Sequence, residues 1–251
     1  MAKLTAIIIA KNEELRIERC LKSLGFCDEV VVVDNNSDDK TRQISKQNGA
    51  TVHEYKSSDY AEARNFGMKL SKTEWVLYVD ADEVVSDELK KEILSVIASG
   101  SPGFVAYKLR RKNFYLGDNP WPKIESLERL FEVKNFITWE GQLHESAKVS
   151  GSVGELKGLL LHYTHRTIAE MVEKTLIWSK VEAELRYKAG HPKVVWWRFP
   201  RVIITSFFDS YISQGGWKIG TAGLIESIYQ AFSSFITYAR LWEMQQKNSK
   251  K

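Results

Sequence analysis

In the first hundred residues short β-branched runs alternate with stretches of helical pattern, the signature of βαβ units feeding a parallel sheet. The segment 4–10, LTAIIIA, reads as the first strand, and 13–24 as a helix with Leu15, Ile17, Leu21 and Leu24 on its inner face. A second strand spans 29–33 and ends at Asp34, the turn Asn35-Asn36-Ser37 follows, and 38–48 is expected to be a helix with acidic residues in its first turn. Strands at 51–55 and 75–79 flank a helix over 61–70, and the second of them ends at Asp80. Ser86 then caps a helix to about residue 98, which Ser101-Pro102-Gly103 stops.

Beyond Gly103 the pattern loosens. Strands are expected at 104–110, 130–133 and 159–163, some of them antiparallel, with Trp121 and Trp139 in the loops between. Residues 167–188 predict a long amphipathic helix with Ile168, Met171, Val172, Thr175, Leu176 and Val181 near one side, and His191-Pro192 ends it. A chain of 251 residues fits one large α/β domain or a core with an appendage. The expected division is a domain over 1–188 and a C-terminal helical appendage over 189–251.

The formal charge is only +4, which argues against a nucleic-acid binder. The excess is local: residues 187–251 carry 9 basic and 3 acidic side chains, and the preceding 186 residues sum to −2. Cys20 and Cys27 form no CxxC pair, so a reduced, cytoplasmic compartment is the expectation. The apolar N-terminal run is too short for a signal peptide, and no window reaches the ~18 apolar residues of a spanning helix.

Ligands of open α/β sheets bind beyond the carboxyl ends of the strands. Asn12 and Glu13 follow the first strand, Asp34 ends the second, and Asp80 and Asp82 follow the fourth. The sharpest element is WVLYVDADE, in which an apolar strand delivers two carboxylates separated by the small Ala81. Hard oxygen ligands at such a bend suit Mg²⁺ or Mn²⁺ bridging the phosphates of a nucleotide; a solvated turn is the bland alternative. Neither GxGxxG nor GxxxxGK[ST] occurs.

The opening IIIAKNE, the segment VVVDNNSDDKT, Ala63-Arg64-Asn65 and VDADE, in this order, resemble the family 2 inverting glycosyltransferases of GT-A fold. The later WEGQLHE, LLHY and ARLWEM resemble, more narrowly, bacterial enzymes that add a sugar to the inner core of lipopolysaccharide. The resemblance implies that Asn12, Glu13 and Asp34 contact the base and ribose, that Arg64 and Asn65 lie close to the nucleotide, and that Asp80 faces the ribose or the metal's water shell. Asp82 is then the first metal ligand, and His162 fits the place of a later metal-binding histidine, though a satisfied strand-end histidine is the other reading.

Such an enzyme also needs a general base for the acceptor hydroxyl. Relatives commonly carry it in an ED motif, which this chain lacks; His144-Glu145 stands there instead. Glu145 is the expected base, with His144 as its orienter or substitute, and Glu128, Glu132 and Glu140 are rivals. The QxxRW of processive polymerases is absent, which favours a single transfer. The resemblance implies a UDP-sugar donor, UDP-glucose first, and a lipid-linked oligosaccharide acceptor. Trp121 and Trp139 could stack on sugars or fill the core.

From Trp196 to Trp217 bulky aromatics alternate with Arg198 and Arg201, the mixture of a helix lying on the anionic inner leaflet of a membrane. Packing against the core or forming a homo-oligomer is the alternative use of those rings. Two further readings stay open at this level. DADEVV satisfies the short motif of haloacid-dehalogenase phosphatases, with Asp80 as nucleophile, and the fold could also serve a non-catalytic nucleotide-sugar-binding or scaffold protein.

Overall fold

A computed structural model of the chain describes residues 3–57, 59–100, 103–141, 145–164 and 167–248. His144 and the Ser101-Pro102 stop lie outside these residues. The chain runs β1 (Leu4–Ala10), α1 (Ile17–Ser23), β2 (Glu29–Asp34), α2 (Thr41–Gln47), β3 (Thr51–Glu54), α3 (Tyr60–Leu70), β4 (Trp75–Asp80), β5 (Glu83–Val85) and α4 (Asp87–Ala98). There follow β6 (Ala106–Tyr115), β7 (Asn119–Glu132), β8 (Phe136–Glu140), β9 (Ser146–Val149) and β10 (Val153–Tyr163), then α5 (Ile168–Lys188), α6 (Arg198–Phe208) and α7 (Gly220–Asn248).

Eight strands form one sheet in the order β3-β2-β1-β4-β7-β6-β10-β5, and β8 pairs with β9 as a separate ribbon. The pairs of β1 with β2, β1 with β4 and β2 with β3 are parallel, as the βαβ alternation requires. β7 joins β4 antiparallel, and β5 joins β10 antiparallel.

Two compact units result, one of Met1–Lys112 with Ile124–His162 and one of Asn113–Lys123 with Tyr163–Lys251. In the first, all seven residues of β1 are buried because both faces of the sheet are covered. Leu4, Ala6, Ile8 and Ala10 share a core with Ile17, Cys20 and Leu21 of α1 and Leu89, Ile93 and Ile97 of α4. Ile7 and Ile9 face the other way, toward Ala61 and Ala63 of α3, Tyr78 and Phe131. Ser86 caps α4 as expected, its hydroxyl accepting from the Leu89 N–H at 3.2 Å.

Several expectations need correction. Leu15 is 74% exposed. The carbonyl of Glu13 accepts from both Arg16 and Ile17, so a turn precedes α1 and turns Leu15 outward. Trp121 and Trp139 sit in β7 and β8 and not in loops, and both are buried, in keeping with the core alternative. β7 begins at Asn119, eleven residues before the expected start; the prolines and charges of NPWPKIESLER hide its alternation.

Gly158 of β10 lies flat against the start of α4. A Cβ there would stand 2.4 Å from the Leu89 Cα and 2.5 Å from its nitrogen, both backbone atoms that cannot yield alone. Lys157 and Gly158 also donate their N–H groups to Glu92 of α4, at 2.7 and 3.0 Å. Gly158→Ala is expected to lower stability by about 3 kcal/mol through overpacking, read as a shift in the denaturation midpoint; an unchanged midpoint would show that the strand and helix can part freely.

The second unit is helical. Thr167 caps α5 by accepting from Glu170 N–H at 3.2 Å. The buried residues of α5 are Met171, Thr175, Ser179 and Ala183, a stripe spaced by four, while Ile168, Val172 and Leu176 face outward against expectation. The hydroxyl of Tyr229 on α7 decides this facing, since it accepts from Thr175 Oγ1 and donates to the Met171 carbonyl, each at 2.8 Å. The small interior of this unit gathers Ala183, Val194 and Leu241 with Tyr187, Phe199, Tyr238 and Met244 around them.

Candidate active site

β2, β1 and β4 are parallel neighbours, so their carboxyl ends share one edge of the sheet. Register sets Ala10 beside Asp34 and Ile9 beside Asp80. The loops leaving this edge carry the sequence-predicted residues.

On the β1–β2 side the two loops are tied to each other. Asn12, at a φ of 56° that asparagine tolerates, donates its N–H to Ser37 Oγ at 2.9 Å and accepts from the Asp38 N–H at 2.8 Å. The Glu13 N–H donates to Thr41 Oγ1 at 2.7 Å. Asp34 is fully buried, and its carboxylate accepts from the Ser37 hydroxyl at 2.5 Å and the Ser37 N–H at 3.0 Å. Its oxygens are thus committed to the Asn35–Ser37 turn, with Arg42 at 3.7 Å.

On the β4 side Asp80 is gripped by two buried arginines. Arg64 Nη2 stands 2.9 Å from one oxygen and Arg129 Nη2 2.7 Å from the other. Burial alone would raise the Asp80 carboxyl, but Arg129, Arg64 and Arg111 hold it well below the usual carboxylate range. Arg64 reaches further: its Nε donates to Glu145 at 3.0 Å, so one guanidinium joins the first DxD carboxylate to the expected base. The same group stacks on Trp139 and Tyr78, 5.1 and 5.5 Å from their ring centres.

Asp82 meets His162 at 3.2 Å, Oδ2 to Nε2, and Arg16 approaches the same oxygen at 3.7 Å. Arg16 in turn pairs with Glu13 at 3.0 Å. The carboxylates converge: burial, then the charges of Glu83, Asp82, Asp80 and Glu13 push the Cys20 thiol up. Burial, then Asp80, Glu145 and Glu13 do the same to the Tyr60 hydroxyl.

The structure therefore brings together Glu13, Arg64, Asp80, Asp82, Glu145 and His162. Asp80 stays with its arginines and does not join the Asp82–His162 contact. Asn65 is engaged elsewhere, its amide accepting from the Trp139 N–H and donating to the Trp139 carbonyl, both at 2.9 Å, which fastens β8 to α3. The rival bases pair with lysines: Glu128 faces Lys108 at 3.9 Å, Glu132 pairs with Lys134 and Glu140 with Lys148.

Sequence reasoning missed Arg16, Glu83, Arg111 and Arg129. Glu83 is fully buried, accepts from the Asp80 N–H at 2.8 Å and lies 3.2 Å from Arg111, which also holds Glu125 at 2.6 Å. Burial and the neighbouring Asp80 charge push the Glu83 carboxyl up. Its signal was in view as the last letter of VDADE, and Arg129 stood as a lone charge in LERLF.

Residues 5–149 match the model of the family described as glycosyl transferase family 2. The chain belongs to glycosyltransferase family 2. It is a nucleotide-sugar glycosyltransferase of GT-A type, and this membership displaces the phosphatase reading of Asp80, whose carboxylate is in any case clamped by two guanidinium groups. The transferase is 29% identical over 270 residues to an uncharacterised glycosyltransferase of Rickettsia typhi, covering 99% of this chain and 89% of that one. It is 26% identical over 260 residues to the lipopolysaccharide core biosynthesis glycosyltransferase LpsC of Rhizobium meliloti, covering 96% and 92%. The crystal structure of S. aureus TarS 1-349 in complex with UDP aligns with a TM-score of 0.48 at 17% identity, covering 98% of this chain and 92% of that one.

Proposed function

We propose that the transferase moves one hexose, with inversion, from a UDP-sugar to a lipid-linked oligosaccharide of lipopolysaccharide-core type. UDP-glucose is the first donor to test. The observation that carries this reading is the Arg64 bridge between Asp80 and Glu145 beside the Asp82–His162 contact. The acceptor class draws on the likeness to LpsC along nearly the whole chain. Such an acceptor is anchored in a bilayer, and the enzyme meets it on the cytoplasmic face as a peripheral protein. No helix among the described residues is long and apolar enough to cross a membrane.

The donor set suits Mg²⁺ or Mn²⁺. Asp82 supplies a hard carboxylate oxygen, which suits either ion, and His162 an imidazole nitrogen, which Mn²⁺ accepts more readily than the strictly oxygen-preferring Mg²⁺. Among the described residues no three His, Cys, Asp or Glu side chains are grouped to hold an ion by themselves, so the proposal requires the substrate diphosphate to supply the remaining ligands. When bound, the ion would neutralise the charge that grows on the departing diphosphate. Arg64 Nη1 and Arg129 Nε are buried N–H groups with no acceptor among the described residues, a further match to an anionic ligand.

The chain's own residues do the rest. Asp34, Ser37 and Thr41 hold the Asn12–Glu13 loop in shape for the nucleotide. Arg64, fixed by Asp80 and by Trp139, presents the Glu145 carboxylate. Glu145 takes the proton of the acceptor hydroxyl as that oxygen bonds to the anomeric carbon. The bond from this carbon to the diphosphate breaks on the opposite face, giving the inverted glycoside and UDP.

The first test is a thermal-shift panel of UDP, GDP, ADP and CMP with and without Mn²⁺. At 100 times its dissociation constant a ligand adds about 2.7 kcal/mol of stability. UDP with Mn²⁺ is expected to give that shift in the wild type and to lose it in Asp82→Ala. Equal shifts without metal, or in Asp82→Ala, would remove the metal assignment, and preference for another nucleotide would change the donor.

A further inference from the structure

We propose that the face shared by α6 and α7 is a docking surface for an anionic lipid bilayer. This deepens the peripheral placement given above and rests on it for the choice of partner. Between the two helices runs a groove of about 390 Å³ whose lining is apolar throughout, Ile203, Ile204, Phe207, Phe208, Ile228 and Phe232 among it. Ile204 and Phe208 are each more than half exposed, and Trp196 is 80% exposed in the segment leading into α6. Of the large hydrophobic side chains that face water among the described residues, most belong to this helical unit. A continuous apolar surface of this kind marks an interaction site.

The charge at its edge selects the occupant. Steps of four, three and four residues put Trp197, Arg201, Ile204 and Phe208 along one stripe of the helix. The Arg198 and Arg201 guanidinium groups lie 5.3 and 6.0 Å from the Trp197 ring centre, and Lys218 lies 5.6 Å from that of Trp217. α6 has no acidic residue, Glu226 of α7 is buried, Glu243 near the end of α7 is exposed but paired with Lys247 at 2.9 Å, and Asp209 accepts from Gln214. Indoles joined to basic groups at the rim of an apolar strip match the headgroup layer: rings enter the interface, hydrocarbon takes the strip, and anionic headgroups meet the arginines. A second copy of the chain would have to bury those guanidinium groups with no carboxylate on α6 to receive them. Since no described helix can span a bilayer, the face lies in the plane of the surface.

The test uses the full chain with vesicles of phosphatidylcholine alone or mixed with phosphatidylglycerol, read by co-sedimentation and tryptophan emission. The wild type is expected to sediment with the anionic vesicles, with blue-shifted emission, and to stay in solution with the neutral ones. At roughly 1 kcal/mol per basic residue, Arg198→Gln with Arg201→Gln lowers the partition coefficient about thirtyfold. Ile204→Asp with Phe208→Asp abolishes binding while the thermal midpoint holds, and Leu94→Asp, an exposed change on α4, leaves binding intact. No sedimentation with anionic vesicles overturns the proposal. So does equal loss in Leu94→Asp, or a dimer that Ile204→Asp breaks while vesicle binding persists. A transferase inactive for want of the right donor would still bind vesicles, so failure here and failure of the transfer reading are separate results.

Discussion

Glu145→Gln is expected to lower the rate of transfer about a hundredfold to ten-thousandfold, the usual contribution of a general base, while leaving the UDP-dependent thermal shift intact. The amide keeps an oxygen where Arg64 Nε now donates at 3.0 Å, so the side chain stays in place and only its capacity to take a proton is lost. Arg64 retains Asp80 as its counter-ion, which limits the cost to folding. The measurement is single-turnover transfer at saturating donor, paired with the thermal shift. Unimpaired transfer would move the base elsewhere, and a lost shift would mean that Glu145 serves donor binding. Glu128→Gln, Glu132→Gln and Glu140→Gln serve as controls, because each of those carboxylates pairs with a lysine and not with Arg64.

Asp80→Asn is expected to cost about 3–5 kcal/mol of stability at neutral pH, the penalty for leaving buried charge without its partner. Arg64 is 3% exposed and Arg129 6%, so water cannot replace the carboxylate they share. The loss has a pH signature. The folded-state carboxyl of Asp80 is held well below the usual range, so its stabilisation is complete above the unfolded value near ~4 and fades as pH falls below it. Wild type and Asp80→Asn should therefore differ by the full amount at pH 7 and approach each other in acid. Chemical denaturation at pH 7 and pH 3 checks both statements. Equal midpoints at pH 7 would mean that the two arginines find other acceptors.

These two carboxylates, with Asp80 separated by one residue from a third at Asp82, show how far the chain could be read without coordinates. The alternation of β-branched runs with helical pattern sufficed for the parallel strands and for the edge at which Asn12, Asp34 and Asp80 emerge, because strand direction follows from the crossover connection. It did not suffice for β7, whose prolines and charges interrupt the period of two, nor for the outward face of α5, which a tyrosine hydroxyl from α7 decides. Asn65 illustrates the same limit within the site. It belongs to a recognisable triplet, yet its amide is used up by the main chain of Trp139, a contact across 74 positions of sequence.

The sequence by itself determined the family, the strand edge and the identities of the two motif carboxylates, since these depend on local pattern and on short motifs in order. Only the tertiary structure decided which charge meets which. It set Asp80 between Arg64 and Arg129, Glu145 on the far side of Arg64, and His162 against Asp82, pairings that span 16, 49, 81 and 80 residues. The physical reason is that a buried charge must find its counter-charge in space, and chain neighbours on a strand point to opposite faces. That partner comes from another element, which no local pattern can name.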